Sequence, residues 1–191
     1  VQSRAKRKIK YWGIQLMITG ELVDLRPVRR SDLPLMAEWV NNVDFNSEYN
    51  TFGLRQTETF EKRFNDNGML GSESGTLLIV TKSGEVVGEV GYYAMFYGPG
   101  EGNKVFNIGI SIHKKYRGKG YGVEAQSLMA QYLFSAYPIN RVEASTDITN
   151  LPEQRALEKA GYTREGVMRK SQFRKGSYHD MVVYSKLRGE P

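Results

Sequence analysis

The sequence predicts an α/β domain whose mixed, mostly antiparallel central sheet has about seven strands and is flanked by about four helices. Three observations predict it. Period-two and helical apolar patterns follow one another in the order β-α-α-β-β-β-α-β-α-β-β. Runs of adjacent strands imply hairpins and antiparallel pairing, while the helical crossovers later in the chain imply a parallel pair, so the sheet is mixed. The 191 residues, 40% of them hydrophobic, carry no internal repeat or low-complexity block, which fits one core of ordinary size.

The elements follow in order. Glu21-Leu22-Val23-Asp24-Leu25-Arg26 alternates polar and apolar residues as a half-buried strand does, and Pro27 ends it. Ser31 is placed to cap a helix with Pro34 in its first turn and Leu35, Met36, Trp39 and Val40 on one stripe. A second helix is expected over 56–67, with Phe60 and Phe64 four apart. Thr76 to Lys82 and Glu85 to Met95 read as strands joined by a Ser83-Gly84 turn. After the Gly-rich loop 98–103 comes a strand from Val105 to Ile112. A helix carrying Leu128, Met129, Tyr132, Leu133 and Ala136 follows, stopped by Pro138. Asn140 to Thr146 is a strand and Asn150 to Ala160 a helix with Gly161 at its end. Two further strands are expected near 162–168 and 177–187.

Composition narrows the chemistry. With no cysteine there is no thiolate nucleophile, disulfide or thiolate metal site, and His113 and His179 alone give little for a zinc site or a Ser–His–Asp triad; no metal is expected. No apolar run reaches the length of a membrane span and no signal-peptide pattern is visible, so a cytoplasmic protein is the default expectation. Five of the six net positive charges lie at Arg4, Lys6, Arg7, Lys8 and Lys10, leaving +1 for the rest. Residues 1–16 are therefore read as a basic arm or leader ahead of a nearly neutral domain at 17–191, which Met17 opens like a natural start. Nucleic-acid binding through that arm is the weaker alternative, because the remaining chain has no basic excess.

The informative segment is Tyr116-Arg117-Gly118-Lys119-Gly120-Tyr121-Gly122, between a predicted strand and a predicted helix. Glycines at alternate positions let the backbone approach a ligand, and the helix N-terminus behind them offers unpaired N–H groups and partial positive charge. Lys114, Lys115, Arg117 and Lys119 add cations, so a pyrophosphate fits. A P-loop is excluded because Gly120, not Ser or Thr, follows Lys119. A dinucleotide-binding loop would need Gly-x-Gly-x-x-Gly in an early βαβ unit, which this mid-chain loop does not provide.

Arg117-x-x-Gly120-x-Gly122 resembles the Gln/Arg-x-x-Gly-x-Gly/Ala signature of the GNAT (Gcn5-related) N-acetyltransferases. The segments Thr146 to Asn150, Gln154 to Tyr162, Glu165 to Arg169, Leu25-Arg26-Pro27 and Asp180 to Ser185 resemble its RimJ/RimL-like branch, over about residues 20–188. The resemblance implies a GNAT-like single domain that uses acetyl-CoA as acyl donor. It implies that the backbone of Arg117, Gly118, Lys119, Gly120, Tyr121 and Gly122 holds the CoA pyrophosphate. It further implies that the strand bearing Ile110 and Ile112 pairs with the pantetheine arm, an amide of that strand polarising the thioester carbonyl, and that Asn150 touches the pantetheine.

Three positions depart from the family pattern. Glu153 stands where RimL-like enzymes carry Ser, Glu158 where other branches carry Tyr, and Asn107 where a proton-relaying Glu is common. Candidate catalytic residues are Glu89, on the strand before the cofactor strand, then Asp147, with Glu153 at the position of the missing Ser. Tyr49, Tyr92, Tyr93 and Tyr97 are candidates to line an acceptor pocket. The expected activity is direct transfer of an acetyl group to a primary amine, either a protein N-terminal α-amine or a small molecule, with a homodimer compatible with the sequence. An α-amine, with a pKa near about 8, needs a base less than a lysine does, which tilts the expectation toward low-pKa amines. The alternative is a CoA-binding regulator that has lost catalysis, motivated by Asn107 and Glu153.

Overall fold

The computed structural model describes residues 17–190; the basic arm lies outside the described residues. Among the described residues the sheet has eight strands, numbered in chain order and arranged β1-β2-β3-β4-β5-β6-β8-β7, and five α-helices accompany it. The additions to the expected count are short: β1 is the two-residue Ile18–Thr19 and α2 the four-residue Val43–Asn46. Neither is long enough to show a period in sequence.

A hairpin ladder builds the first half. β2 (Val23–Pro27), β3 (Ser74–Thr81), β4 (Val86–Phe96) and β5 (Lys104–Ile112) pair antiparallel in succession. Between β2 and β3 come α1 (Leu33–Val40), α2 and α3 (Glu58–Asn67), which cover one face of the sheet. Ser31 is not the cap of α1. Asp32 takes that place after a 3-10 turn, accepting from the Arg29 amide at 2.7 Å and from both terminal nitrogens of the buried Arg26 guanidinium at 2.7 and 2.9 Å. A bidentate pair out of water outcompetes a serine hydroxyl for this position.

The opposite face carries α4 (Tyr121–Ala136) and α5 (Leu151–Lys159). The apolar stripe of α4, with Leu128, Met129 and Leu133 almost wholly buried, packs on Val90, Phe106 and Val142 of the sheet. On the first face Met36, Trp39 and Phe45 pack with Leu78 and Val80, with Phe60 and Phe64 of α3 against them. Two cores therefore clamp one sheet.

The second half of the sheet comprises β6 (Arg141–Asp147), β8 (Ser177–Leu187) and the edge strand β7 (Thr163–Arg174), which runs six residues beyond its expected end. β5 and β6 form the parallel pair, and it is brief: Phe106, Asn107 and Ile108 face Val142, Glu143 and Ala144. From Gly109 to Ile112, β5 keeps its register with β4 while β6 keeps its own with β8. The sheet thus opens between the C-terminal halves of two parallel strands, where α/β folds place ligands.

Candidate active site

The gap between β5 and β6 has the glycine turn at its outer end. β5 stops at Ile112, a 3-10 turn runs Lys114–Tyr116, and Arg117 to Gly120 lead into α4. Gly118 and Gly120 have φ of +76° and +82°, left-handed values that a residue with a Cβ rarely takes. The turn is exposed, and the first N–H groups of α4 have no carbonyl of their own helix to meet. An exposed turn leading into the positive end of a sixteen-residue helix has the character suited to an anion.

The Arg117 side chain is engaged in shaping this turn. Its Nε donates to the Ile112 carbonyl at 2.8 Å, and Nη2 donates to the carbonyls of Asp44 and Phe45 at 3.0 Å. The guanidinium pins the turn to α2, so the side chain is committed to structure rather than to solvent. Lys119, exposed, holds its ammonium 5.6 Å from the Tyr116 ring. Behind the turn, the Glu124 carboxylate accepts from the amides of Glu21, Leu22 and Val23 at 2.5, 2.6 and 2.8 Å, tying β2 to the start of α4.

Along β5 the side chains of Ile110 and Ile112 turn toward α4: a Cβ on Gly122 would lie 3.4 Å from Ile112 Cδ1 and 3.9 Å from Ile110 Cδ1. Their main chain is what borders the gap. Gly109, between them and the paired stretch, is exposed with open space above its Cα. Asn150 enters α5 without capping it; its Nδ2 donates instead to Thr146 Oγ1 at 2.9 Å, which aims the amide at the end of β6 beside the gap.

Glu89 stands on β4 directly opposite Ser111 of β5 and Leu78 of β3, on the face covered by α1–α3. It is partly buried, and burial raises its pKa while the charges of Arg63 and Arg55 pull it back. A carboxyl whose pKa is raised by burial is a candidate proton acceptor.

The other candidates fare differently. Asp147 is 2% exposed; its Oδ1 accepts from the amide and hydroxyl of Thr149 at 2.8 and 2.6 Å, and its Oδ2 meets Arg174 at 2.5 Å and His179 at 3.2 Å. Burial works to raise its pKa, but the Thr149 and Arg174 hydrogen bonds outweigh it and hold the carboxyl below its ordinary range. This carboxylate is a structural anchor that ties β6 to β7. Tyr92 is 2% exposed on the α4 face, donating to the Gly71 carbonyl at 2.7 Å, so strand alternation places it in the core rather than in an acceptor pocket. Tyr93, next along, is half exposed on the Glu89 face. Tyr97 donates to Glu143 Oε2 at 3.0 Å, and Tyr49 donates to the Thr149 carbonyl at 3.3 Å, bridging α2's loop to α5.

Glu153, in the first turn of α5, points into the seam with α4. Burial pushes its pKa up to about 7, against a hydrogen bond from Gln126. Gln126 is 1% exposed, and the phenol oxygen of Tyr162 close by is buried without a partner. Sequence reading missed Gln126, although an amide among Leu128, Met129 and Leu133 on an apolar helix is its visible signal.

A stability prediction follows. The folded pKa of Glu153 is about 7 against an ordinary 4.5, so its contribution is fully present below the unfolded value and lost as pH rises through the folded one. Glu153→Gln removes the penalty of the buried charge. Its unfolding free energy from urea titration should exceed the parent's at pH 8 by an amount on the order of 2 kcal/mol after allowance for partial solvent access, with the gap closing at pH 5. Equal differences at both pH values would refute burial as the cause.

Among the described residues no His, Asp and Glu cluster could hold a metal ion, and no helix is long and apolar enough to cross a membrane.

Comparison with known proteins adds a second line. A family model described as an acetyltransferase (GNAT) domain matches residues 23–163. The uncharacterized N-acetyltransferase p20 of Bacillus licheniformis is 24% identical over 173 residues, 89% of this chain and 95% of that protein. The uncharacterized N-acetyltransferase YjdG of Bacillus subtilis (strain 168) is 35% identical over a shorter stretch, 51% of this chain and 55% of that protein. Among solved structures, a RimL ribosomal-protein α-N-acetyltransferase in complex with coenzyme A superposes with a TM-score of 0.75 at 18% identity, covering 90% of this chain and 97% of that one. The spermidine N-acetyltransferase of Vibrio cholerae, in complex with CoA and spermine, gives 0.74 at 17% identity, covering 88% and 97%.

Proposed function

The chain belongs to the GNAT acetyltransferase family, and from that premise we propose that it moves the acetyl group of acetyl-CoA directly onto the α-amine of a protein or peptide. The observation that carries this reading is the opening between β5 and β6. It has the exposed glycine turn at one end, with two carboxyls of raised pKa on the neighbouring elements, Glu89 on β4 beside β5 and Glu153 in the first turn of α5 after β6.

The main-chain amides from Arg117 to Gly122 hold the diphosphate, with the helix dipole behind them. The unpaired edge of β5 at Gly109 to Ile112 aligns the pantetheine, and the Asn150 side chain meets it from the β6 side. Glu89 accepts the ammonium's proton, directly or through a water, and passes it to solvent. The neutral nitrogen then attacks the thioester carbon; the C–N bond forms, the C–S bond breaks, the sulfur takes the electron pair, and Glu89 accepts the second proton that the nitrogen sheds on becoming the amide. Glu153, half protonated near pH 7, returns a proton to that sulfur. Both carboxyls reset through solvent, so amine and thioester become amide and thiol with atoms and charge balanced. Holding the partners in line supplies roughly 7–11 kcal/mol at best, and the two proton transfers supply the rest.

The α-amine is preferred to a lysine because its pKa of about 8 leaves a useful neutral fraction at pH 7. The folds with ribosomal-protein and polyamine acceptors are equally close to this one, so overall shape does not choose between them. Two measurements test the proposal. Calorimetry should detect acetyl-CoA binding, and a panel of N-terminal peptides and free amines should report CoA release. Binding without turnover on any amine would favour a CoA-binding regulator instead, and no binding at all would end the proposal.

A further inference from the structure

The charges around Glu89 deepen that reading and rest on it. We infer that the acceptor is an acidic-headed peptide N-terminus, with a carboxylate within a residue or two of the reacting amine, and that Arg55 and Arg63 select it.

Both arginines are placed by the fold. Asn41, at the end of α1, clips the main chain of Arg55 at two points: its Nδ2 donates to the Arg55 carbonyl and its Oδ1 accepts from the Arg55 amide, each at 3.0 Å. Arg63 lies on α3, whose Phe60 and Phe64 pack on the cluster that contains Leu78. Leu78 is the residue directly opposite Glu89 on β3, so this packing brings α3 over the carboxyl. Arg63 and Arg55 are the charged groups that act on Glu89. Both side chains are exposed, and among the described residues neither takes part in an ion pair.

The carboxylates farther along this face are already matched. Asp147 is held by Arg174, while Glu143 and Glu165 share Arg141 at 2.5 and 3.0 Å. A polyamine needs carboxylates for its second and third ammoniums and would instead meet two guanidiniums that, among the described residues, are held in no ion pair. Like charge at an entrance rejects the wrong partner. A peptide carboxylate would find two planar forks suited to bidentate bonds.

The test uses the intact protein with a set of serine-led peptides carrying Glu, Gln or Lys at the second and third positions, and spermidine beside them. The expected result is a kcat/KM for the Glu peptide at least about tenfold above the Lys peptide at low salt, shrinking as ionic strength rises. In the double variant Arg55→Gln, Arg63→Gln the preference should fall toward one, and Arg55→Lys, Arg63→Lys should restore part of it. The inference is overturned if the Lys peptide or spermidine is the better substrate, or if the preference survives in the Gln variant. Calorimetry with acetyl-CoA separates the two layers. Acetyl-CoA binding with amine acetylation but no charge preference removes this inference alone. Binding with no peptide acetylated removes it together with the α-amine acceptor, and absence of binding removes the transferase reading beneath it.

Discussion

Replacing Glu89 by Gln should lower kcat/KM for amine acetylation by about 10² to 10⁴, the usual worth of a positioned base, while the affinity for acetyl-CoA is unchanged. Glu89 occupies the sheet face away from α4, apart from the turn proposed to hold the diphosphate, so binding and chemistry should separate at this residue. The pH profile gives the sharper reading. The parent needs Glu89 ionised, so its kcat/KM rises with pH through the pKa that burial has raised and then levels. The Gln variant has only the acceptor's own ionisation, near about pH 8 for an α-amine. The gap between the two enzymes should therefore narrow as pH passes 8 to 9, where the amine arrives neutral. Stability moves the opposite way. A carboxylate whose pKa is raised by burial destabilises the fold once ionised, so Glu89→Gln should not lower the melting temperature at pH 8. Loss of activity with retained stability marks a functional group; a variant within threefold of the parent from pH 6 to 9 would strip Glu89 of the role.

What could be read in the sequence divides along locality. Apart from the long edge strand β7, the expected strands and helices emerge close to their expected bounds because their signals lie within a few residues: alternation along β2 and β4, the stripe of α4, the stops at Pro138 and Gly161. The glycine turn was legible for the same reason, since positive φ at Gly118 and Gly120 is a local demand. The gap between β5 and β6 had no such signature. It arises from where two parallel strands cease to share a register, which is set by separate commitments of β5 to β4 and of β6 to β8. Asp147 illustrates the same limit. Its carboxylate looked available in sequence, yet Arg174, far along the chain on β7, takes it out of reach of a proton transfer. Tyr92 and Tyr93 differ only by the alternation of one strand, and no residue pattern said which of them faced the α4 core. The influence of Arg55 and Arg63 on Glu89 was invisible for a similar reason: it depends on how α3 lies across β3.

The turn itself supplies the second large effect. Gly120→Val should weaken acetyl-CoA binding about 100-fold or more while far-UV circular dichroism stays unchanged. Gly120 holds φ of +82° and precedes the first residue of α4, so its conformation aims the amides that follow. A left-handed conformation costs a residue with a Cβ roughly 1–2 kcal/mol, more for a β-branched one. The new Cβ would also lie 3.1 Å from Leu22 Cδ1, a contact the leucine tip relieves only by moving. The cheapest response is for the turn to rotate toward negative φ, which swings its N–H groups off a common focus. Each charge-assisted hydrogen bond to an anion is worth about 1.5–3 kcal/mol, so losing two accounts for at least a hundredfold. Gly118→Ala is the control for strain: φ is +76° there, but the space around the Cα is open, so only the dihedral cost applies. It should bind more weakly than the parent and more tightly than Gly120→Val. If Gly120→Val bound acetyl-CoA as the parent does, the diphosphate could not be resting on these amides, and the alignment of donor, Glu89 and Glu153 along the gap would lose its anchor.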